Sequence, residues 1–150
     1  MLKLNMGSGT SRYKDYVSVD LYTPEADLGL DITRPLPWKD GEVDCIYASH
    51  VVEHFSRDEW ELVSKEWYRV LKDGGTIEIR CPDIAEVCKK YLSNPKDPFV
   101  MMQLYGLQNT EGEYHKNGFT YGTLCDSFPK MTGELLDPST DTEVHARFTK

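Results

Sequence analysis

The chain has 150 residues, a length that suits one domain around one core. Its formal charge of −8, with Lys and Arg dispersed rather than run together, opposes tight binding to a phosphate backbone, so no nucleic-acid partner is expected. No apolar stretch approaches the roughly 18 residues of a membrane span and no charged-then-apolar leader opens the chain, so a cytoplasmic protein without membrane contact is expected.

Hydrophobic residues make up 39% and charged residues 28%, a globular balance rather than a disordered one. Cys45, Cys81, Cys88 and Cys125 form no C-x-x-C pair and have no His at finger spacing, so reduced thiols and no metal site are expected.

In chain order, residues 1–5 alternate and run into Gly7-Ser8-Gly9, the pattern of a short strand entering a tight turn. Residues 15–21 and 26–32 predict a second and a third strand, and a fourth covers Val43, Cys45, Ile46, Tyr47 and Ala48. The period then changes from 2 to 3.6. Ser56-Arg57-Asp58-Glu59 matches a capping box, and Trp60, Val63, Trp67, Val70 and Leu71 follow at helical steps until Asp73-Gly74-Gly75. Residues 75–82 alternate as a strand closed by Pro82, helices are expected from Asp83 to Leu92 and through Met101, Met102, Leu104 and Tyr105, and residues 120–131 read as a last helix. "GELLD" and "TEVHARFTK" would pair as an antiparallel hairpin across "PSTD".

Strands alternating with helices imply an α/β fold, a single-domain Rossmann-like sandwich with a mostly parallel sheet, whose ligands bind at the carboxyl ends of the strands. Only residues 10–15 separate the Gly turn from the second strand, so the first helix must be shortened or that strand must begin late.

Gly7 and Gly9 let the backbone turn sharply and approach a ligand, although a plain turn has the same composition. A dinucleotide fingerprint would need a third glycine where Arg12 stands, and there is no G-K-[ST] for a P-loop. Asp20, eleven residues beyond Gly9, is placed to accept from both ribose hydroxyls of an adenosine ligand or simply to form a turn. Asp31 repeats that pattern at the end of the third strand, where it can accept from an adenine amino group.

Together these residues resemble the class I S-adenosylmethionine-dependent methyltransferases, in particular small members linked to sugar and polysaccharide modification. "LNMGSG" resembles the first motif of that family, "VSVDLY" the acidic second and "LDITRPLPWKDGEVDCIYASHVVEHF" the third and fourth, while "EWYRVLKDGGTIEIRCPD" is the most specific block. The first motif lacks an early acidic residue and offers two glycines of three. The resemblance implies S-adenosyl-L-methionine as cofactor, with Asn5, Met6, Gly7 and Gly9 near its methionine part, Asp20 and Leu21 at the ribose, Asp31 and Ile32 at the adenine, and Ala48 and Ser49 beside the sulfonium, next to His50.

For the acceptor side, His50, Glu53 and His54 follow the fourth strand, and His50 and His54 would share a face of a helical turn; capping or solvation is the alternative for Glu53 and His54. Tyr114, His115 and Lys116, in "EYHKNGF", are set either to fold over a substrate or to form an ordinary turn. His50, Glu53, His54 and His115 are therefore the candidate catalytic residues, and Met101, Met102, Leu104 and Tyr105 read as core, with the lining of a substrate pocket as the alternative.

The expected activity is methyl transfer to a small-molecule or saccharide acceptor, at oxygen, by a chain that a partner copy can complete as a homodimer. An NAD-dependent oxidoreductase and a cofactor-binding protein without catalysis stand as alternatives.

Overall fold

The computed structural model describes residues 1–138 and 140–150, and within them the strands form one six-stranded sheet. Strands β1 (Lys3–Met6), β2 (Val17–Val19), β3 (Val43–Ser49) and β4 (Leu71–Pro82) lie parallel in the order β2-β1-β3-β4. Strand β6 (Glu143–Thr149) runs antiparallel to β4, and β5 (Thr132–Leu135) pairs antiparallel with β6 at the edge. This is the expected C-terminal hairpin. Ser139, in the turn expected between its strands, lies outside the described residues.

Alternation along the strands fixes which face is buried. Leu4, Met6, Ile46, Ala48, Ile77, Ile79, Ala146 and Phe148 are fully buried, in one cluster with Trp60, Val63, Trp67 and Val70 of helix α1 (Arg57–Val70). Burying each large apolar side chain contributes about 1.5–3 kcal/mol. The alternate residues Cys45, Tyr47, Glu78, Arg80, His145 and Arg147 stay partly exposed and pair across the strands: Glu78 takes His145 and Arg147, both at 2.8 Å. Tyr13 and Tyr16 lean on Tyr47 on that side, with ring centroids 5.3 and 6.4 Å away.

Helix α1 starts where its sequence directs. Ser56 Oγ accepts from the Glu59 N–H, and the Glu59 carboxylate accepts from the Ser56 N–H at 2.7 Å. Asp83 caps α2 (Ile84–Ser93), Asp97 caps α3 (Pro98–Tyr105), and Thr120 caps α4 (Tyr121–Ser127). The last of these is shorter than expected, because Pro129 cannot continue a helix.

Three further departures have local causes. Residues 26–32 form no strand but a single bridge between Val19 and Leu28, because the Asp27 carboxylate takes the Ser18 N–H at 2.8 Å in place of a carbonyl on the neighbouring chain. The first helix is shortened to nothing: residues 10–16 run from β1 to β2 through turns, with Asp15 at φ +68°. Strand β4 begins at Leu71 rather than Gly75, since Leu71 already pairs with Val43 before a register shift to Cys45 and Thr76.

The chain leaves β1 for β2 on one side and returns to β3 on the other, so the sheet order reverses between β1 and β3. At such a switch point the loops after the two strands diverge and leave a crevice. Gly7 and His50 are the first residues of those loops.

Candidate active site

Gly7 has φ +58°, and a Cβ built on it would stand 2.6 Å from a methyl of Val51, so only glycine fits between β1 and the β3 loop. The next turns are tied to β2: Ser8 N–H reaches the Val19 carbonyl at 3.1 Å, and Gly9 N–H donates to Asp20 Oδ2 at 2.8 Å. Asp20 Oδ1 accepts from the N–H groups of Tyr22 and Thr23 at 2.9 and 2.8 Å. Partial burial would raise the Asp20 pKa, but these three donors outweigh it and hold the carboxyl below its usual value. Asp31 is held low chiefly by the Thr33 hydroxyl, which donates to it at 2.6 Å.

These groups open onto a cleft of about 370 Å³ whose walls include Gly7, Gly9, Asp20, Leu21, Asp31 and Ile32. A second cleft, of about 470 Å³, is walled by Pro82, Phe99, Met102 and Leu107 with Gln103, His115 and Glu143. His50 and His54 line both.

His50 sits at the end of β3 in the left-handed region, φ +56°, and its N–H is fixed to the Arg80 carbonyl at 2.8 Å. A non-glycine residue held there marks a site whose surroundings over-determine it. Its Nε2 lies 2.9 Å from Glu143 Oε1, and its Nδ1 lies 3.3 Å from Glu53 Oε1. The Glu53 contact, reinforced by Glu143 against partial desolvation, raises the imidazole pKa. Glu143 also accepts from Arg80 at 3.0 Å.

The segment after α3 crosses the mouth of both clefts. Gly106 bridges to Tyr114 at φ +80°, where a Cβ would overlap the Glu113 carbonyl. Lys116 and Asn117 N–H groups then donate to the Glu53 carbonyl at 2.8 and 3.1 Å. His115 lies beside His54, ring centroids 4.9 Å apart, and burial lowers its pKa.

Residues 4–79, just over half of the chain, match the family model described as a methyltransferase domain. The chain belongs to this methyltransferase family. It is an S-adenosylmethionine-dependent methyltransferase, which decides for methyl transfer over the hydride transfer of an oxidoreductase.

Solved structures agree on the fold. A SAM-dependent methyltransferase, possible histamine N-methyltransferase, from Thermotoga maritima superposes with TM-score 0.66 at 20% identity, over 99% of this chain and 82% of that one. One from Archaeoglobus fulgidus gives 0.67 at 13% identity, over 99% and 85%. The DhpI-SAH complex gives 0.65 at 12% identity, over 97% and 74%. No curated protein matches by sequence.

Of the cofactor-side residues expected from the methyltransferase sequence, Gly7, Gly9, Asp20, Leu21, Asp31 and Ile32 come together on the first cleft. Met6 and Ala48 are wholly buried in the core and line neither cleft. Buried Asn5 reaches back to the Ser11 carbonyl at 3.4 Å and supports the Gly turn, and Ser49 lies beyond the residues lining either cleft. The four candidate catalytic residues converge, although residues 52–54 form a 3-10 turn rather than an α-helical one. Sequence reasoning missed Tyr22 and Gly112, which close the first cleft against each other: a Cβ on Gly112 would meet the Tyr22 ring at 3.2 Å. It also missed Glu143, whose partner His50 is 93 positions away and leaves no local signal.

Proposed function

We propose that residues 1–150 act as one unit that holds S-adenosylmethionine in the Gly7–Asp31 cleft and methylates an oxygen of a small saccharide acceptor seated in the Phe99–Leu107 cleft. The observation that carries this reading is that the two clefts share one wall, His50 and His54. A donor and an acceptor bound on either side meet there, and in-line displacement asks chiefly for such positioning.

The first cleft fits the cofactor. The missing side chain at Gly7 leaves room for backbone approach, and Asp20 Oδ2, which accepts one N–H, keeps a lone pair for a ribose hydroxyl. Leu30 and Ile32 supply apolar walls for a purine, and Asp31 faces the same space. When bound, the cofactor supplies an electrophilic methyl on a sulfonium. His50, on the shared wall and half-exposed, is the group placed to take the acceptor's proton: Glu143 holds its Nε2–H, so the proton enters at Nδ1, which lies 3.3 Å from Glu53 without an aligned hydrogen bond.

A saccharide suits the second cleft because Phe99, Met102 and Leu107 offer an apolar face for sugar C–H groups while Gln103 and Glu143 offer hydrogen bonds. The resemblance to sugar-modifying members supports the same class. An amine acceptor is the second reading, favoured by Glu113 and Glu143 on the wall and by the histamine in the name of the Thermotoga structure. The reduced thiols, all four free, suit a cytoplasmic setting. No helix among the described residues is long and apolar enough to cross a membrane.

Calorimetric titration with S-adenosylmethionine, with NAD as control, followed by S-adenosylhomocysteine release over saccharide and amine panels, tests the reading. Micromolar binding of the methyl donor and turnover on a sugar hydroxyl are expected. Turnover on amines alone moves the acceptor class, and binding without turnover on any acceptor leaves a cofactor-binding protein.

A further inference from the structure

Glu53, His54 and His115 bring one carboxylate oxygen and two ring nitrogens within 4.8 Å of one another. From these residues we infer that the methyltransferase holds a zinc-like divalent cation between Glu53, His54 and His115, with an open coordination position facing the acceptor cleft. The inference departs from the sequence expectation of no metal, which rested on cysteine spacing. Two of these ligands are adjacent and the third lies about sixty positions on, so no spacing rule reveals them.

The Glu53 carboxylate is the first reason. Its side chain is 2% exposed, and neither oxygen has an aligned hydrogen-bond donor, although His50 Nδ1 stands 3.3 Å away. Burying a carboxylate without hydrogen bonds is strongly unfavourable, and such groups are ordinarily paired or bound to metal. His50 Nδ1 is not aligned to donate to it, and a neutral ring whose Nε2–H is held by Glu143 carries no hydrogen at Nδ1.

The two imidazoles are the second, independent reason. His115 Nδ1 lies 2.8 Å from the Gln103 carbonyl and His54 Nδ1 lies 3.2 Å from the Tyr114 carbonyl. A carbonyl can only accept, so in each ring Nδ1 carries the hydrogen and Nε2 keeps its lone pair for a ligand. Metal-binding histidines are oriented by this kind of outer contact. His115 Nε2 is 4.0 Å from Glu53 Oε1, and the ligands of a tetrahedral zinc ion stand roughly 3.4 Å apart, so small side-chain rotations close the site. Backbone bonds from Lys116 and Asn117 to Glu53 already lock the two segments together.

Two imidazoles and one carboxylate favour zinc and its borderline neighbours over magnesium or calcium, and three protein ligands leave a position for a water or a substrate oxygen. His54 and His115 both line the acceptor cleft, so that position falls where the proposed acceptor sits. Occupation of that position by an acceptor oxygen rests on the proposed acceptor reading, whereas ion binding does not.

The test uses the untagged full chain, with zinc measured by calorimetry and cobalt by its visible absorption, both without methyl donor or acceptor. One ion per chain is expected. Glu53→Gln, His54→Gln and His115→Gln should each weaken binding at least tenfold, and His145→Gln, a histidine paired with Glu78 that lines neither cleft, should leave it unchanged. Circular dichroism shows whether each variant folds; should Glu53→Gln fail, the half-exposed His54 decides. No binding by the wild type, equal loss in His145→Gln, or preference for magnesium overturns the inference, and none of these outcomes touches cofactor binding or turnover.

Discussion

The backbone N–H of Gly9 donates to Asp20 Oδ2 at 2.8 Å, so one carboxylate ties the turn after β1 to the end of β2. Both residues line the proposed cofactor cleft. Asp20→Asn should therefore weaken S-adenosylmethionine binding about tenfold or more, because an amide has one accepting oxygen where Gly9 on one side and Tyr22 and Thr23 on the other each need one, and a bond to a charged group contributes roughly 1.5–3 kcal/mol. Calorimetry on the folded variant checks it. Unchanged affinity would leave Asp20 as a turn former alone.

Gly7→Ala should destabilise the fold by roughly 2–4 kcal/mol, combining a left-handed backbone with overpacking against Val51. Adding Val51→Ala removes the 2.6 Å overlap but not the backbone strain, so the double variant should be more stable than the two losses added together. Urea unfolding of the four proteins measures the difference.

Much of this was legible in the sequence where local chemistry decides. The Ser56–Glu59 capping box, the Trp60-Val63-Trp67 stripe and the alternation of residues 75–82 are each complete within a short window and were realised as α1 and β4. The third strand failed for a specific reason: apolar residues were present, but Asp27 satisfied Ser18 from its side chain and removed the need for a ladder. His50, Glu53, His54 and His115 were legible as residues but not as an arrangement. Their geometry depends on Glu143 and the Gln103 carbonyl, which only the β4–β6 pairing and the docking of helix α3 bring near.

Glu78 links β4 to β6 through His145 and Arg147, and it sets an acid limit on stability. Burial would raise its pKa, but the bonds from His145 and Arg147 outweigh that and lower it from the ordinary 4.5. A carboxyl whose folded pKa is depressed contributes its full stability above the unfolded value and loses it as pH falls through the folded one. Unfolding measured from pH 5 downward should thus show stability falling from about pH 4.5, with Glu78→Gln flatter over that window and roughly 1 kcal/mol less stable at pH 7, discounting for the partly exposed Arg147. An identical acid slope in the variant would refute the assignment.

His50 stands between the two clefts, with its backbone held by Arg80 and its ring by Glu143. A group that receives a proton from the acceptor should affect turnover far more than donor binding. His50→Ala should accordingly lower kcat by about 10²–10⁴-fold, the usual worth of a positioned acid or base, while the Kd for S-adenosylmethionine changes only a few-fold. Glu143→Gln, which leaves the ring in place but less firmly oriented, should lie between wild type and His50→Ala. Equal losses in donor affinity and kcat for His50→Ala would make His50 a wall of the cofactor cleft rather than a participant in the transfer.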